Sequence, residues 1–137
     1  MGLILDTSFL VEKERRRESA TAILRGLQAD RGNADAGIST VTAVELTHGI
    51  HRARSEDHRA RRRIFAAEVF EMLIVYPLTL EIAQLAGRIE GEQAAKGNLI
   101  PFEDLIIGAT ALHLGFDVAT LNVRHFERIP GLKIVSL

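Results

Sequence analysis

The feature that most constrains this chain is an alternation. Short apolar runs are separated by longer stretches whose apolar residues recur at helical spacing. The runs are Gly2 to Leu5, Gly37 to Ser39, Leu73 to Tyr76, Asp117 to Leu121 and Leu132 to Val135. Strands buried on both faces read as continuous apolar runs, and strands joined through helices pair in parallel. The alternation therefore predicts an α/β chain: a mainly parallel central sheet of about five strands, flanked by helices.

The intervening stretches carry their own punctuation. Ser19 to Gln28 sets Ala20, Ile23, Leu24 and Leu27 on one stripe and is followed by the breaker-rich segment Asp30 to Gly37. Thr40 is a cap candidate for a helix from Val41 to about Ala53, and a further helix runs from about Glu56 to Met72. In the latter, Ile64, Phe65, Glu68, Val69 and Met72 make the later turns amphipathic. Thr79 caps Leu80 to Lys96, with Ile82, Leu85, Ala86 and Ile89 inward and Gly97 in the stop position. Pro101 opens Phe102 to Leu114, Gly115 closes it, and Val123 to Phe126 forms a short helical turn. No internal repeat, low-complexity tract or linker interrupts the pattern, so residues 1–137 read as a single domain.

Composition narrows the function classes. With 47% hydrophobic and 26% charged residues in 137, the chain carries enough apolar material for a core, against disorder or a fibre. There is no cysteine, which excludes disulfides and thiolate metal sites and leaves oxygen or imidazole as ligands. A reducing, cytoplasmic setting is expected. No basic stretch precedes the first apolar residues, and no apolar run approaches the ~20 residues of a membrane span, so neither export nor embedding is expected. The net charge of -1 hides an asymmetry. Between His51 and Arg63, six arginines face only Glu56 and Asp57, whereas Ile64 onward holds nine acids against five bases. Such a basic segment is ordinarily a solvated helix face, and it also suits contact with phosphate.

The informative residues are polar groups where the pattern predicts burial. Asp6 follows Leu3, Ile4 and Leu5 directly and so lies at the carboxyl end of the first strand, the edge where open α/β sheets bind ligands. Alone, it serves equally as a cap for a turn with Thr7 and Ser8. Glu45 lies one turn into its helix on a small, partly apolar face made by Val41, Thr42, His48 and Gly49; alone, it reads as a surface glutamate. Asp104 opens a helix that is apolar almost all round, and neighbouring Glu103 is as able to complement the helix dipole, so which of the two faces inward is open. Asn122 ends another strand candidate and suits an ordinary turn or cap.

Together they say more. If the strands are parallel neighbours, Asp6, Glu45, Asp104 and Asn122 approach one edge of the sheet. Carboxylates sharing a cleft raise one another's pKa unless a cation neutralises them. Hard oxygen ligands select Mg²⁺ or Mn²⁺, and such a site orients a phosphodiester, activates water and stabilises the leaving oxygen.

Four segments then carry a family resemblance: LDTSFL around Asp6, ISTVTAVELTHGI around Glu45, IPFEDLIIGATALHLG around Asp104 and VATLNVRHFERIPGLKIVSL at the C-terminus. In this order, end to end, the chain resembles the PIN-domain ribonucleases, specifically the VapC toxins of bacterial toxin–antitoxin pairs. The resemblance implies a PIN-like three-layer fold and a Mg²⁺-dependent endoribonuclease, with Mn²⁺ a second candidate. By motif match, Asp6 and Asp104 would be the principal metal ligands, Glu45 the second acid and Asn122 the occupant of the fourth acidic position. Thr7 or Ser8 and Thr120 match the accompanying hydroxyls. The metal would hold the scissile phosphate while a carboxylate such as Asp6 or Asp104 orients the water, leaving 5′-phosphate and 3′-hydroxyl ends. A VapB-type antitoxin whose C-terminal segment blocks the cleft, and a homodimer, follow as partners.

The departure is Asn122, where many relatives have aspartate: an amide brings no charge, which implies weaker metal binding rather than inactivity. Arg52, Arg54, Arg59, Arg61, Arg62 and Arg63 are candidates for RNA phosphates, solvent or antitoxin acids. With one tyrosine and no tryptophan, stacking platforms for bases are few, so specificity is expected from RNA shape and loop context. The histidines form no ligand-spaced cluster and read as structural or surface residues. Two rival classes differ in their residues. A phosphoryl-acceptor domain expects a second acid beside Asp6, and Leu5-Asp6-Thr7-Ser8 has none; a non-catalytic binding module finds its support in Asn122.

Overall fold

A computed structural model describes residues 2–32 and 34–135. Asn33 of the breaker segment, and Ser136 and Leu137 of the C-terminal motif, lie outside the described residues. The five expected strands are present as β1 (Leu3–Leu5), β2 (Ala36–Ser39), β3 (Ile74–Tyr76), β4 (Asp117–Ala119) and β5 (Ile134–Val135). They form one sheet in the order β3-β2-β1-β4-β5, with every pairing parallel. Most are shorter than the apolar runs that announced them. Leu121 is half exposed, because the chain has already turned away at Thr120.

Helices α1 (Thr7–Arg15), α2 (Ala20–Arg31), α3 (Thr40–His51), α4 (Glu56–Met72), α5 (Leu80–Ala95), α6 (Phe102–Leu114) and α7 (Val123–Phe126) complete the chain. The first was expected only as a turn. Asp6 caps it by accepting a hydrogen bond from Thr7 N at 2.8 Å, and Phe9 and Leu10 are its buried residues. The cap of α3 is Ser39, not Thr40: its Oγ accepts from Val41 N at 3.2 Å, so the helix begins one residue early. Thr79 caps α5 as expected, and Gly115 ends α6 at φ 71°, a left-handed conformation that favours glycine. In α4 the buried residues are Phe65, Ala66 and Val69, whereas Ile64 and Met72 are exposed, Met72 lying on the buried stripe but at the helix end, where its sulfur accepts from Thr21 Oγ1. Leu85 of α5 is half-buried beside Ile82, Ala86 and Ile89.

The sheet separates two cores, as the twofold repeat of a strand requires. Leu3 and Leu5 pack with Ile38 against α1 to α4, while Ile4 and Val118 pack against α5, α6 and α7. The segment after α7 packs directly on α6 at Gly108, where a Cβ would come within 2.3 Å of Ile129 Cδ1. The result is three layers, with β1 in the centre of the sheet and the chain leaving it toward β2 on one side while β4 flanks the other. Such a switch in strand order opens a crevice beyond the carboxyl ends of the strands.

Candidate active site

Asp6 stands at the mouth of that crevice. Its backbone N–H bonds to Ala119 O at 2.9 Å, which ties the end of β1 to the end of β4. Its carboxylate is almost fully buried and takes three hydrogen bonds: Thr7 N on Oδ1 at 2.8 Å, and on Oδ2 the hydroxyls of Ser8 at 2.6 Å and Thr120 at 2.7 Å. Each hydroxyl also accepts from the backbone, Ser8 Oγ from Leu121 N and Thr120 Oγ1 from Asn122 N. Those backbone donors leave each hydroxyl proton to point at Asp6.

From β2 the chain enters α3, whose second turn presents Glu45 to α1. Thr7 Oγ1 donates to Glu45 Oε1 at 2.6 Å and lies 3.1 Å from Thr42 Oγ1. Glu45 is only half-buried, and its pKa is raised. Burial is the main cause, opposed by the Thr7 hydrogen bond and reinforced by the charges of Asp6, Glu103 and Asp104.

The α6 dipeptide is resolved by packing: Asp104 is buried and Glu103 exposed. Burial also raises the Asp104 pKa; a hydrogen bond from His125 lowers it, and Asp6 and Glu103 raise it again. His125 Nδ1 stands 2.6 Å from Asp104 Oδ2. Sequence reasoning missed this pairing, because a single histidine within the T-x-N-x-R-H-F stretch carries no ligand spacing. Only the turn of α7 against α6 brings it in. Asn122 is exposed at the same sheet edge and joins the network through its backbone N–H.

The parallel sheet thus places Asp6, Glu45, Asp104, Thr7, Ser8 and Thr120 at one crevice, with Asn122 at its rim. Among the described residues, no three histidine or acidic side chains converge closely enough to grip one ion directly. The donor set nevertheless fits a hard divalent cation. It is made of oxygen, it is anionic, and the charge of Asp6 raises the pKa of both Glu45 and Asp104 at this edge. An ion that keeps several waters requires few direct protein ligands.

The arginine segment divides. Arg52, Arg54 and Arg62 line a cleft that also includes Glu45, whereas Arg59 is engaged by Glu56 and the Ala53 carbonyl. Arg61 faces a smaller hollow beside Glu68, and Arg63 is exposed.

Comparison with known proteins gives the family and the fold. The PIN domain family matches residues 3–132. The chain is 31% identical over 137 residues to Ribonuclease VapC1 of Rickettsia felis, covering 100% of this chain and 97% of that protein. It is 34% identical over 98 residues to the tRNA(fMet)-specific endonuclease VapC of Salmonella typhimurium, covering 71% of each. Among solved structures, the DNA-bound VapBC complex of Salmonella typhimurium superposes with a TM-score of 0.82 at 27% identity, over 98% of this chain and 97% of that one.

Proposed function

This chain belongs to the PIN-domain family, and we propose that its buried acids at the β1/β4 crevice hydrolyse RNA phosphodiester bonds with the help of a divalent cation. It is a VapC-type ribonuclease, the toxin of a toxin–antitoxin pair, with a VapB-type antitoxin as partner and RNA as substrate. Members of this family depend on a metal. Mg²⁺ is the ion we assign, with Mn²⁺ able to replace it, because the donors are hard oxygens.

In this reading Asp6 and Asp104 hold the ion, Glu45 adds the third charge and Asn122 contributes a neutral oxygen at the rim. When bound, the cation neutralises charge on the scissile phosphate and lowers the pKa of water. Thr7, Ser8 and Thr120 keep Glu45 and Asp6 from rotating away, and His125 does the same for Asp104. A carboxylate of Asp6 or Asp104 orients the attacking water, and cleavage leaves a 5′-phosphate and a 3′-hydroxyl. The observation that carries the reading is the convergence of Asp6, Glu45 and Asp104 on one sheet edge, where the charge of Asp6 raises the pKa of both Glu45 and Asp104, a field that a cation would relieve.

We further assign residues 1–137 to one domain, supported by the single sheet with helices on both faces. Among the described residues, no helix is long and apolar enough to cross a membrane. A cytoplasmic homodimer is the assembly the family resemblance supports.

The test is cleavage of total RNA by antitoxin-free protein with Mg²⁺ or Mn²⁺, beside Asp6→Ala, Asp104→Ala and an EDTA control. Discrete fragments that vanish in both variants and in EDTA are expected. Intact RNA from well-folded wild type at every metal concentration would favour a non-catalytic binding module instead.

A further inference from the structure

A second feature opens off the acidic crevice. Helices α1, α3 and α4 and the loop between the last two enclose a cleft of about 630 Å³, within the range of small-ligand sites. Glu45 is among its lining residues, so the cleft adjoins the acidic crevice through that side chain. Its walls carry Arg15, Arg52, Arg54 and Arg62 against Glu14 and Glu45, and Val11, Leu46 and Phe65 provide apolar lining. Arg62 is held in place by donating to Gly49 O at 2.6 Å. A cationic wall for phosphate beside an apolar surface for ribose and base is the chemistry of a nucleotide subsite.

We infer that this cleft seats a nucleotide of the RNA strand flanking the scissile phosphate, with Arg52 and Arg54 contacting its phosphates. The inference rests on the ribonuclease reading and adds where the substrate strand lies. It also separates the arginine segment by role: Arg52, Arg54 and Arg62 face the strand, while Arg59 is committed to Glu56 and the Ala53 carbonyl. The charge cluster alone does not make this site; its concave shape, its apolar lining and its sharing of Glu45 with the acidic crevice do. Gly49 provides an independent handle. A Cβ there would meet nothing within 4 Å, and Gly49 lines the cleft, so a larger side chain should crowd the cleft.

The test measures fluorescence anisotropy of a short, mixed-sequence, single-stranded oligoribonucleotide in EDTA, where binding is read without cleavage. Wild type is compared with Arg52→Gln/Arg54→Gln, with Gly49→Leu, and with Arg25→Gln/Arg88→Gln, which makes the same charge change at exposed positions outside the cleft. The cleft double variant should bind about tenfold more weakly, and its dependence of log affinity on log salt should flatten by about 1.4, the loss of two single-strand phosphate contacts. Gly49→Leu should weaken binding with net charge unchanged, and the exposed pair should stay within about twofold of wild type. In cleavage with Mg²⁺, the cleft double variant should raise KM about tenfold and leave kcat nearly unchanged.

Binding by both cleft variants equal to that of the exposed pair would overturn the inference while leaving the ribonuclease reading intact. Wild type that binds RNA through the cleft yet cuts none would overturn the ribonuclease reading and, with it, the placement beside a scissile phosphate, leaving an RNA-binding cleft. If both cleft variants keep RNA affinity but lose neutralisation by the antitoxin, the cleft belongs to the antitoxin and the inference is overturned.

Discussion

His125 Nδ1 and Asp104 Oδ2 stand 2.6 Å apart across a separation of 21 residues, joining α7 to the first turn of α6. The imidazole donates to a carboxylate that burial and two neighbouring acids would otherwise push toward its neutral form. Removing it in His125→Ala should raise the Mg²⁺ concentration for half-maximal cleavage about tenfold, the usual effect of losing a partner that orients a ligand. His125→Asn, whose amide can donate from nearly the same place, should recover much of that loss. A metal titration of cleavage decides the matter: an unchanged midpoint in His125→Ala would leave Asp104 oriented by packing alone.

Asp6 is both a proposed ligand and a structural cap. In Asp6→Ala, α1 loses its cap and the Ser8 and Thr120 hydroxyls lose their acceptor, so stability should fall by roughly 1–3 kcal/mol. Asp6→Asn keeps only one of the two acceptor oxygens, so it should recover part of the stability while losing cleavage. Denaturant unfolding of both variants in EDTA checks this, and equal destabilisation by the two would show that the charge itself is required.

Glu45 has a raised pKa in the folded protein, so the folded chain takes up its proton at a higher pH than the unfolded chain does. Metal-free stability should therefore fall as pH rises from the ordinary glutamate range through the raised value. Above that value the penalty is complete. Glu45→Gln preserves an acceptor for Thr7 and removes the charge, so its Tm in EDTA should exceed that of wild type near neutral pH. The gap should close on acidification. Thermal melts across pH read both effects, and a gap that widens toward acid would contradict the assignment.

Asn122→Asp adds a charge at the rim of the crevice. The expected result is a midpoint for Mg²⁺ lowered by about tenfold, the scale of one added unit charge near a protein surface. Calorimetric metal titration of wild type and variant tests this, and equal affinities would place the Asn122 side chain outside the ion's reach.

Much of this fold is legible in the sequence. Helix α4 begins and ends at Glu56 and Met72 as its pattern indicates, because Ser55 caps it and its buried stripe is long enough to count. Helix α1 was not legible. Its nine residues hold only an adjacent buried pair, Phe9 and Leu10, before a charged tail, too short a span for a 3.6-residue period to emerge. The capping role of Asp6 was visible; the length of what it caps was not.

The sequence by itself determined the strand–helix alternation, the parallel sheet and the polar residues waiting at its edge, since these depend on local periodicity and on where apolar runs stop. Only the tertiary structure decided that Asp104 rather than Glu103 is buried, that His125 meets Asp104, and that Arg52, Arg54 and Arg62 line a cleft while Arg59 is bound elsewhere. Adjacent residues on one helix have the same local signals. What separates them is which neighbour covers them, and that is fixed by the packing of elements distant in the chain.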